Sequence, residues 1–400
     1  MELMNAEASS KQLLDEFVQK RLLLIKLKSA LWDEKCEELN DLVYNQSLPS
    51  NLSKGEIIIK YFVSYNDLYL TYYTANKKGV KKLESVDFLN QLKQFTHAVK
   101  TGVSAVEEQR FFYNLLIEPI QQELCGVNQL IILPDEGMDG ITFELLMNAE
   151  EELLIHNYAI RYAYSAKNIC QKSQPQIDRF LALAPGFEKN KTLNKENVIT
   201  DTIRASSFIY NDNQQTILAP ISCSIDEVEE IGNLFKERKI KTKIFTSKRA
   251  TKKNFIKNLS MQNIVHIATH GINKNEYESG LFFTLRAQDN GFLSLQELYQ
   301  LDLNVDLAVL SACGTGKGEI VEGEGVMALP RGFIYAGVPN VIASLWKVHD
   351  EKTKDLMVAF YKHLLEDKVS YAEALRLAKL DCIKKGFLPL DWAGFVLICN

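Results

Sequence analysis

From Ser224 to its end the chain alternates amphipathic helical stretches with short apolar strands, and this alternation restricts the fold more than any other feature. The spacing of apolar residues predicts helices over 225–239 and 251–259 and strands over 242–245, 263–268 and 307–311. A helix beginning near Glu324, a strand over 341–346, helices over 351–365 and 371–384, and a last strand in "AGFVLIC" complete the run. Strands alternating with helices imply an α/β sandwich around a mostly parallel central sheet. In such sheets ligands gather in the loops at the carboxyl ends of the strands.

The first half has a different texture. "EIIIKYFVSYNDLYLTYYTANKKG" alternates β-branched and aromatic residues between the turn signals Asn66-Asp67 and Lys78-Gly79, which predicts strands. Helices follow at 86–99 and at 105–124, the second containing Pro119. "QLIILPDEGMDGITFELL" reads as a buried strand, an Asp/Gly loop and a short helix, and "IRYAYS" and "RFLALAPGF" as further strands. Residues 188–215 are polar and predict a surface loop or insertion. Ahead of all this, residues 11–45 repeat leucine at helical spacing and stop before the breaker Pro49, predicting one long helix.

Composition narrows the function. Four hundred residues exceed one ordinary core, and 46% hydrophobic with 24% charged residues is a globular balance. A net charge of −5 argues against direct nucleic-acid binding, and the lysine-rich stretches 77–82 and 236–243 are short enough to be solvated faces. No stretch approaches the ~18 uninterrupted apolar residues of a membrane helix. With no signal-peptide pattern either, a cytoplasmic location is expected. The 7 cysteines are scattered without CxxC spacing, so neither a disulfide framework nor a zinc site is expected, and no metal or other cofactor.

Two strand-end loops carry chemistry. "NIVHIATHGINKN" ends an apolar strand in His270-Gly271, and "VDLAVLSACGTGKGEIVEGEG" ends another in Cys313-Gly314. A free thiol with a pKa near ~8.5 is mostly protonated at neutral pH, and a neighbouring imidazole can raise the thiolate fraction and later protonate a leaving amine. The backbone N–H groups of Gly271 and Cys313 are candidate donors to an oxyanion, with glycine allowing close approach. Each residue also has a plain reading: a buried structural cysteine, and a capped loop histidine. His266 and His270 form an HxxxH pair, but on a strand their side chains stand roughly 13 Å apart, so His266 is expected in the core behind the site rather than on a shared metal. The GxGKG run lacks the GK[ST] ending of a phosphate loop.

"VHIATHG", "LSACGTGKG", "EGEGVMALPRGFIYAGVPNVIASLWKVHDEKTKDLMVAFYKHL" and "YAEALRLAKLDC" resemble the CHAT domain family of caspase-related peptidases, which are often fused to TPR repeats. "LLIEPIQQEL", "LIILPDEGMDGITFELL" and "ILAPISCSIDEVEEI" resemble its non-catalytic half. The resemblance implies a caspase/separase-like three-layer sandwich and a catalytic dyad at His270 and Cys313. It divides the chain into a helical connector (1–54), a non-catalytic half (55–215) and a catalytic half (216–400). The implied function is a cysteine endopeptidase acting on protein or peptide substrates, with a regulatory partner engaged through the N-terminal helical segment; a silent scaffold is the alternative. A peptide is expected to lie along the strand at 341–346, making Ser344, Trp346 and the following Asp350 candidate substrate-binding residues. Relatives use a carboxylate to select a basic P1 side chain, a role Asp350 would fill, although Asp350 equally suits the N-cap of the next helix.

Overall fold

The computed structural model describes residues 52–399 apart from 65–66, 85–86, 136, 139, 166–168, 170–174, 176, 186, 188–207, 211–215, 219, 260–261, 273–278, 285–290 and 312–327. The helix expected at 11–45, most of the polar stretch 188–215, and the glycine-rich run containing Cys313 therefore lie outside the described residues.

Strands β1 (Glu56–Ser64), β2 (Asp67–Thr74), β3 (Lys78–Leu83), β4 (Gln129–Leu133), β5 (Ala159–Ala163) and β6 (Arg179–Ala184) come first. A ribbon of β7 (Phe208–Tyr210) and β8 (Thr216–Leu218) follows, then β9 (Lys241–Thr246) and β10 (Ile264–Ile267). A small antiparallel sheet joins β11 (Gly271–Ile272), β12 (Gly280–Phe282) and β13 (Phe292–Ser294). The last three are β14 (Leu307–Leu310), β15 (Asn340–Ser344) and β16 (Phe395–Cys399). Eleven of these form one sheet in the order β3-β2-β1-β4-β5-β16-β15-β14-β10-β6-β9. Strands β15, β14, β10, β6 and β9 run parallel to one another, as do β1, β4, β5 and β16, and the direction reverses where β16 pairs antiparallel with β15. The carboxyl ends of β6, β10, β14 and β15 thus share one edge of the sheet. Strand β6, from the chain's first half, lies between β10 and β9.

The helices are α1 (Phe88–Thr101), α2 (Val106–Leu116), α3 (Ser224–Glu237), α4 (Lys252–Leu259), α5 (Leu295–Tyr299), α6 (Ala328–Tyr335), α7 (Asp350–Glu366), α8 (Tyr371–Lys384) and α9 (Pro389–Trp392). Right-handed crossovers put helices on both faces of a parallel sheet. On one face α3 and α7 bury the aromatic centre of the core. Phe180 stacks on Phe235 at 4.0 Å and 6°, and Tyr361 sets its edge against Phe180 at 5.6 Å and Phe235 at 5.4 Å. Losing such a ring costs roughly 3–5 kcal/mol, because transfer energy and a cavity term add.

The helix expected over 105–124 is interrupted. It ends at Leu116, and a 3-10 turn over Glu118–Leu124 replaces its second half. Pro119 has no N–H to donate and its ring clashes with the preceding turn, so the α-helix stops before it. Both lysine-rich stretches reach the outermost strands, with Lys78, Lys81 and Lys82 on β3 and Lys241 and Lys243 on β9. Charged side chains on an edge strand oppose pairing with another chain. Converting Lys241 and Lys243 together to valine should produce concentration-dependent association in light scattering, and a scattering mass unchanged with concentration would contradict this role.

His363 ties α7 to α8, its Nδ1 lying 2.6 Å from Asp367 Oδ2 and its Nε2 2.8 Å from Asp381 Oδ2. Burial alone would lower the imidazole pKa, but the two carboxylates outweigh it and raise it overall. A raised folded-state value means stability fully present below the unfolded value of about 6.5 and lost as pH rises through the folded value. The gap in urea midpoint between wild type and His363→Ala should therefore be wider near pH ~6 than near pH ~9. A gap that grows with pH would show the opposite sign.

Candidate active site

Strands β10 and β14 are hydrogen-bonded parallel neighbours, in register from Ile264 opposite Leu307 to Ile267 opposite Leu310. Parallel neighbours about 4.8 Å apart release their following loops side by side at one edge. His270 follows β10 by three residues and is 9% exposed. Its ring lies 5.0 Å from that of Phe187 with a 33° tilt. Phe187 comes from the loop after β6, the other neighbour of β10, and has a φ of 44°. That left-handed backbone is unfavourable for a bulky residue, and such strain gathers at functional sites.

The backbone on either side of His270 is pinned. Its carbonyl accepts the Phe282 N–H at 3.0 Å, and the fully buried Thr269 hydroxyl donates to the Phe282 carbonyl. Gly271 stands opposite Leu281 in β12. Because the Phe282-to-His270 bond flanks that pair, it is of the type whose own amides turn away from the partner strand. The Gly271 N–H therefore points away from β12. On the other strand, Ser311 follows β14 directly and is fully buried. Cys313 lies outside the described residues, two residues further on; covalent geometry alone keeps its Cα within about 7 Å of that of Ser311.

The expected substrate-binding residues sit elsewhere in the structure's economy. Ser344 ends β15 opposite Phe395 and is 1% exposed. Trp346 is buried, its indole N–H donating to the Leu390 carbonyl at 2.8 Å, and it packs so close to Gly394 that an added Cβ would lie 2.7 Å from the ring. The expectation that a peptide pairs with the strand at 341–346 needs correction. Residues 341–343 of β15 already pair with β14 on one side and β16 on the other, and the Leu345 N–H is taken by the Gly394 carbonyl at 2.8 Å, so a peptide cannot pair along 341–343. Asp350 is the first residue of α7 and not its cap, which is His349. The Asp350 carboxylate accepts the Ser222 N–H at 3.0 Å.

His266 occupies the expected place in the core: fully buried on β10, with Nε2 2.9 Å from Glu227 and Nδ1 3.1 Å from the Tyr361 hydroxyl. Among the described residues no group of three His, Cys, Asp or Glu could hold a metal. The sequence reading passed over Phe187 and Glu227. Phe187 left no signal, but Glu227 did: it sits on the stripe Ser224, Val228, Ile231 and Phe235, where an apolar residue belongs. Among the described cysteines, burial above all pushes the Cys382 thiol up to about 12, whereas Cys125 is exposed.

The chain belongs to the CHAT domain family, whose model matches residues 107–400. It is 29% identical over 333 residues to human (Homo sapiens) tetratricopeptide repeat protein 28, covering 72% of this chain and 13% of that protein. The mouse (Mus musculus) protein of the same name is 36% identical over 107 residues, 26% of this chain and 4% of that one. The chain thus spans a small fraction of the relatives it matches. The fold is similar to that in the Saccharomyces cerevisiae separase–securin complex, with a TM-score of 0.55 at 10% identity, covering 88% of this chain and 30% of that one. The architecture is accordingly the caspase-like α/β sandwich with a mostly parallel sheet. Among the described residues no helix is long and apolar enough to cross a membrane.

Asp350 at the first turn of α7 offers both a hydrogen bond to Ser222 and a negative charge at a helix N-terminus, the latter worth about 0.3–1 kcal/mol. Asp350→Asn should lower the urea midpoint accordingly. An unchanged midpoint would mean that the carboxylate is not needed where the structure puts it.

Proposed function

We propose that the chain is a cysteine endopeptidase whose nucleophile is Cys313 and whose general base is His270. The observation that supports this reading is the parallel pairing of β10 with β14, the strands that precede His270 and Cys313 in the sequence. The Cys313 thiol gives its proton to His270, and the sulfur attacks the carbonyl carbon of a peptide bond. The carbonyl π pair moves to oxygen, to which the Gly271 N–H and the Cys313 N–H would donate hydrogen bonds. As the tetrahedral intermediate collapses, the C–N bond breaks and His270 returns its proton to the leaving amine. Water, deprotonated by the same imidazole, then attacks the thioester and regenerates the thiol.

Burial of His270 to 9% exposure under the Phe187 ring suits this chemistry, since a site shielded from water strengthens the electrostatics within it. The substrate would enter from the loop edge, beyond Leu345. Asp350 remains a candidate for choosing a basic P1 residue, and its bond to Ser222 would be a competing use of the same carboxylate. Membership beside tetratricopeptide repeat relatives supports control by a protein partner and also suits the alternative of an inactive scaffold.

A peptide-library cleavage profile on wild type, Cys313→Ala and His270→Ala separates the two. Wild type should cleave, and each variant should lose nearly all activity, because a dyad acts as one unit. Retention of activity within about tenfold in His270→Ala would remove the assigned base. If wild type and both variants left every peptide intact, the scaffold reading would stand.

A further inference from the structure

Glu227 is a carboxylate that the proposed chemistry does not use, yet it is fully buried in the core. One oxygen, Oε1, accepts the Ser311 hydroxyl at 2.5 Å and also faces His266 Nε2 at 2.9 Å. His266 Nδ1 in turn faces the Tyr361 hydroxyl at 3.1 Å. Burial, with a smaller contribution from Glu227, raises the Tyr361 pKa well above its usual value, so the phenol keeps its proton and can donate. Every donor is matched when Tyr361 O–H serves Nδ1, and His266 Nε2–H and Ser311 O–H both serve Glu227.

A buried carboxylate is an expensive way to fill this space. Removing it from water carries a large desolvation penalty, and an apolar side chain on the stripe of α3 would pack there without it. What the carboxylate does that a leucine cannot is bind two strands at once. His266 lies on β10, four residues before His270, and Ser311 follows β14, two residues before Cys313. In the parallel register His266 stands opposite Val309, so His266 and Ser311 point to the same face of the sheet, one step apart. Glu227 ties together one side chain from each of the two strands that lead toward His270 and Cys313.

We propose that Glu227 is a positioning residue that sets the spacing of the His270 and Cys313 loops by acting as the shared acceptor for His266 and Ser311. The proposal rests on His270 and Cys313 being the working pair. Without the shared acceptor the strand ends still pair, but the two loops lose their common anchor. A displacement of even about 1 Å between reacting groups can cost on the order of a hundredfold in rate.

The test is the pH dependence of iodoacetamide alkylation at Cys313, read by peptide mass spectrometry on the full chain, with exposed Cys125 as internal reference. Wild type should alkylate at Cys313 with a midpoint well below that of Cys125, as an imidazole-paired thiol does. Glu227→Gln and Ser311→Ala should each move the Cys313 midpoint up by about one pH unit or more, leaving Cys125 unmoved. Ser311→Thr, which restores the hydroxyl, should return it toward wild type. Glu227→Gln variants that lose thermal stability but keep the wild-type midpoint would overturn the proposal, leaving Glu227 a core contact only. Should Glu227→Gln fail to fold, Ser311→Ala decides alone, and an unmoved midpoint there overturns it. If wild-type Cys313 titrated together with Cys125, the dyad itself would fall, an outcome distinct from either.

Discussion

The backbone hydrogen bonds between β10 and β14 are the constraint on which the site depends. Parallel strands cannot be joined by a tight hairpin, so the chain between them must leave the sheet, cross over and return. That crossover contains β11 to β13 and α5, and its start is the loop carrying His270. Once both strands are buried and parallel, their next loops must emerge together, whatever their sequences. The flanking strands then furnish the surroundings: β6 delivers Phe187 against the imidazole, and β15 closes the other side. Every residue of these strands, from Ile264 to Ile267 and from Leu307 to Leu310, is fully buried, the polar His266 among them.

The same sheet carries both halves of the chain. At its centre β16, the last strand, is antiparallel to β15 and parallel to β5, and so belongs by direction to the first half and by sequence to the second. Polar contacts lock this junction. Lys379 of α8 meets Glu144 at 2.6 Å with both side chains buried, and the Tyr162 hydroxyl donates to the other oxygen of Glu144 at 2.7 Å. A buried ion pair contributes little net stability over an apolar pair, but losing one partner is strongly destabilising, so it enforces one arrangement. The Lys100 ammonium over the Trp346 ring, at 5.8 Å, links α1 to the end of β15 in the same way.

Much of this was legible in the sequence, and the failures have physical reasons. Short apolar runs bounded by turn residues identified β10, β14, β15 and β16, because burial leaves little latitude in composition. Pro119 was visible but its consequence was underweighted: propensity around it is helical, yet one missing donor ends the helix. The mostly parallel direction of the sheet followed from the alternation of strands and helices, but the reversal at β16 was not legible, because β15 and β16 read alike as apolar runs. The pairing of 341–343 on both sides, which closes those residues to a peptide, could not be anticipated from "NVIASLW" itself. Glu227 was readable as a charge on an apolar stripe, but its partners Ser311 and His266 lie 84 and 39 residues away, beyond any local pattern.

The most direct measurement is a crystal structure of the full chain with a peptidyl aldehyde bound. The account predicts one hemithioacetal, on Cys313, with its oxygen roughly 2.7–3.1 Å from the Gly271 amide nitrogen and the His270 imidazole beside the sulfur. An aldehyde bonded to another cysteine, or a Cys313 adduct whose oxygen faces away from Gly271 with His270 out of reach, would contradict it.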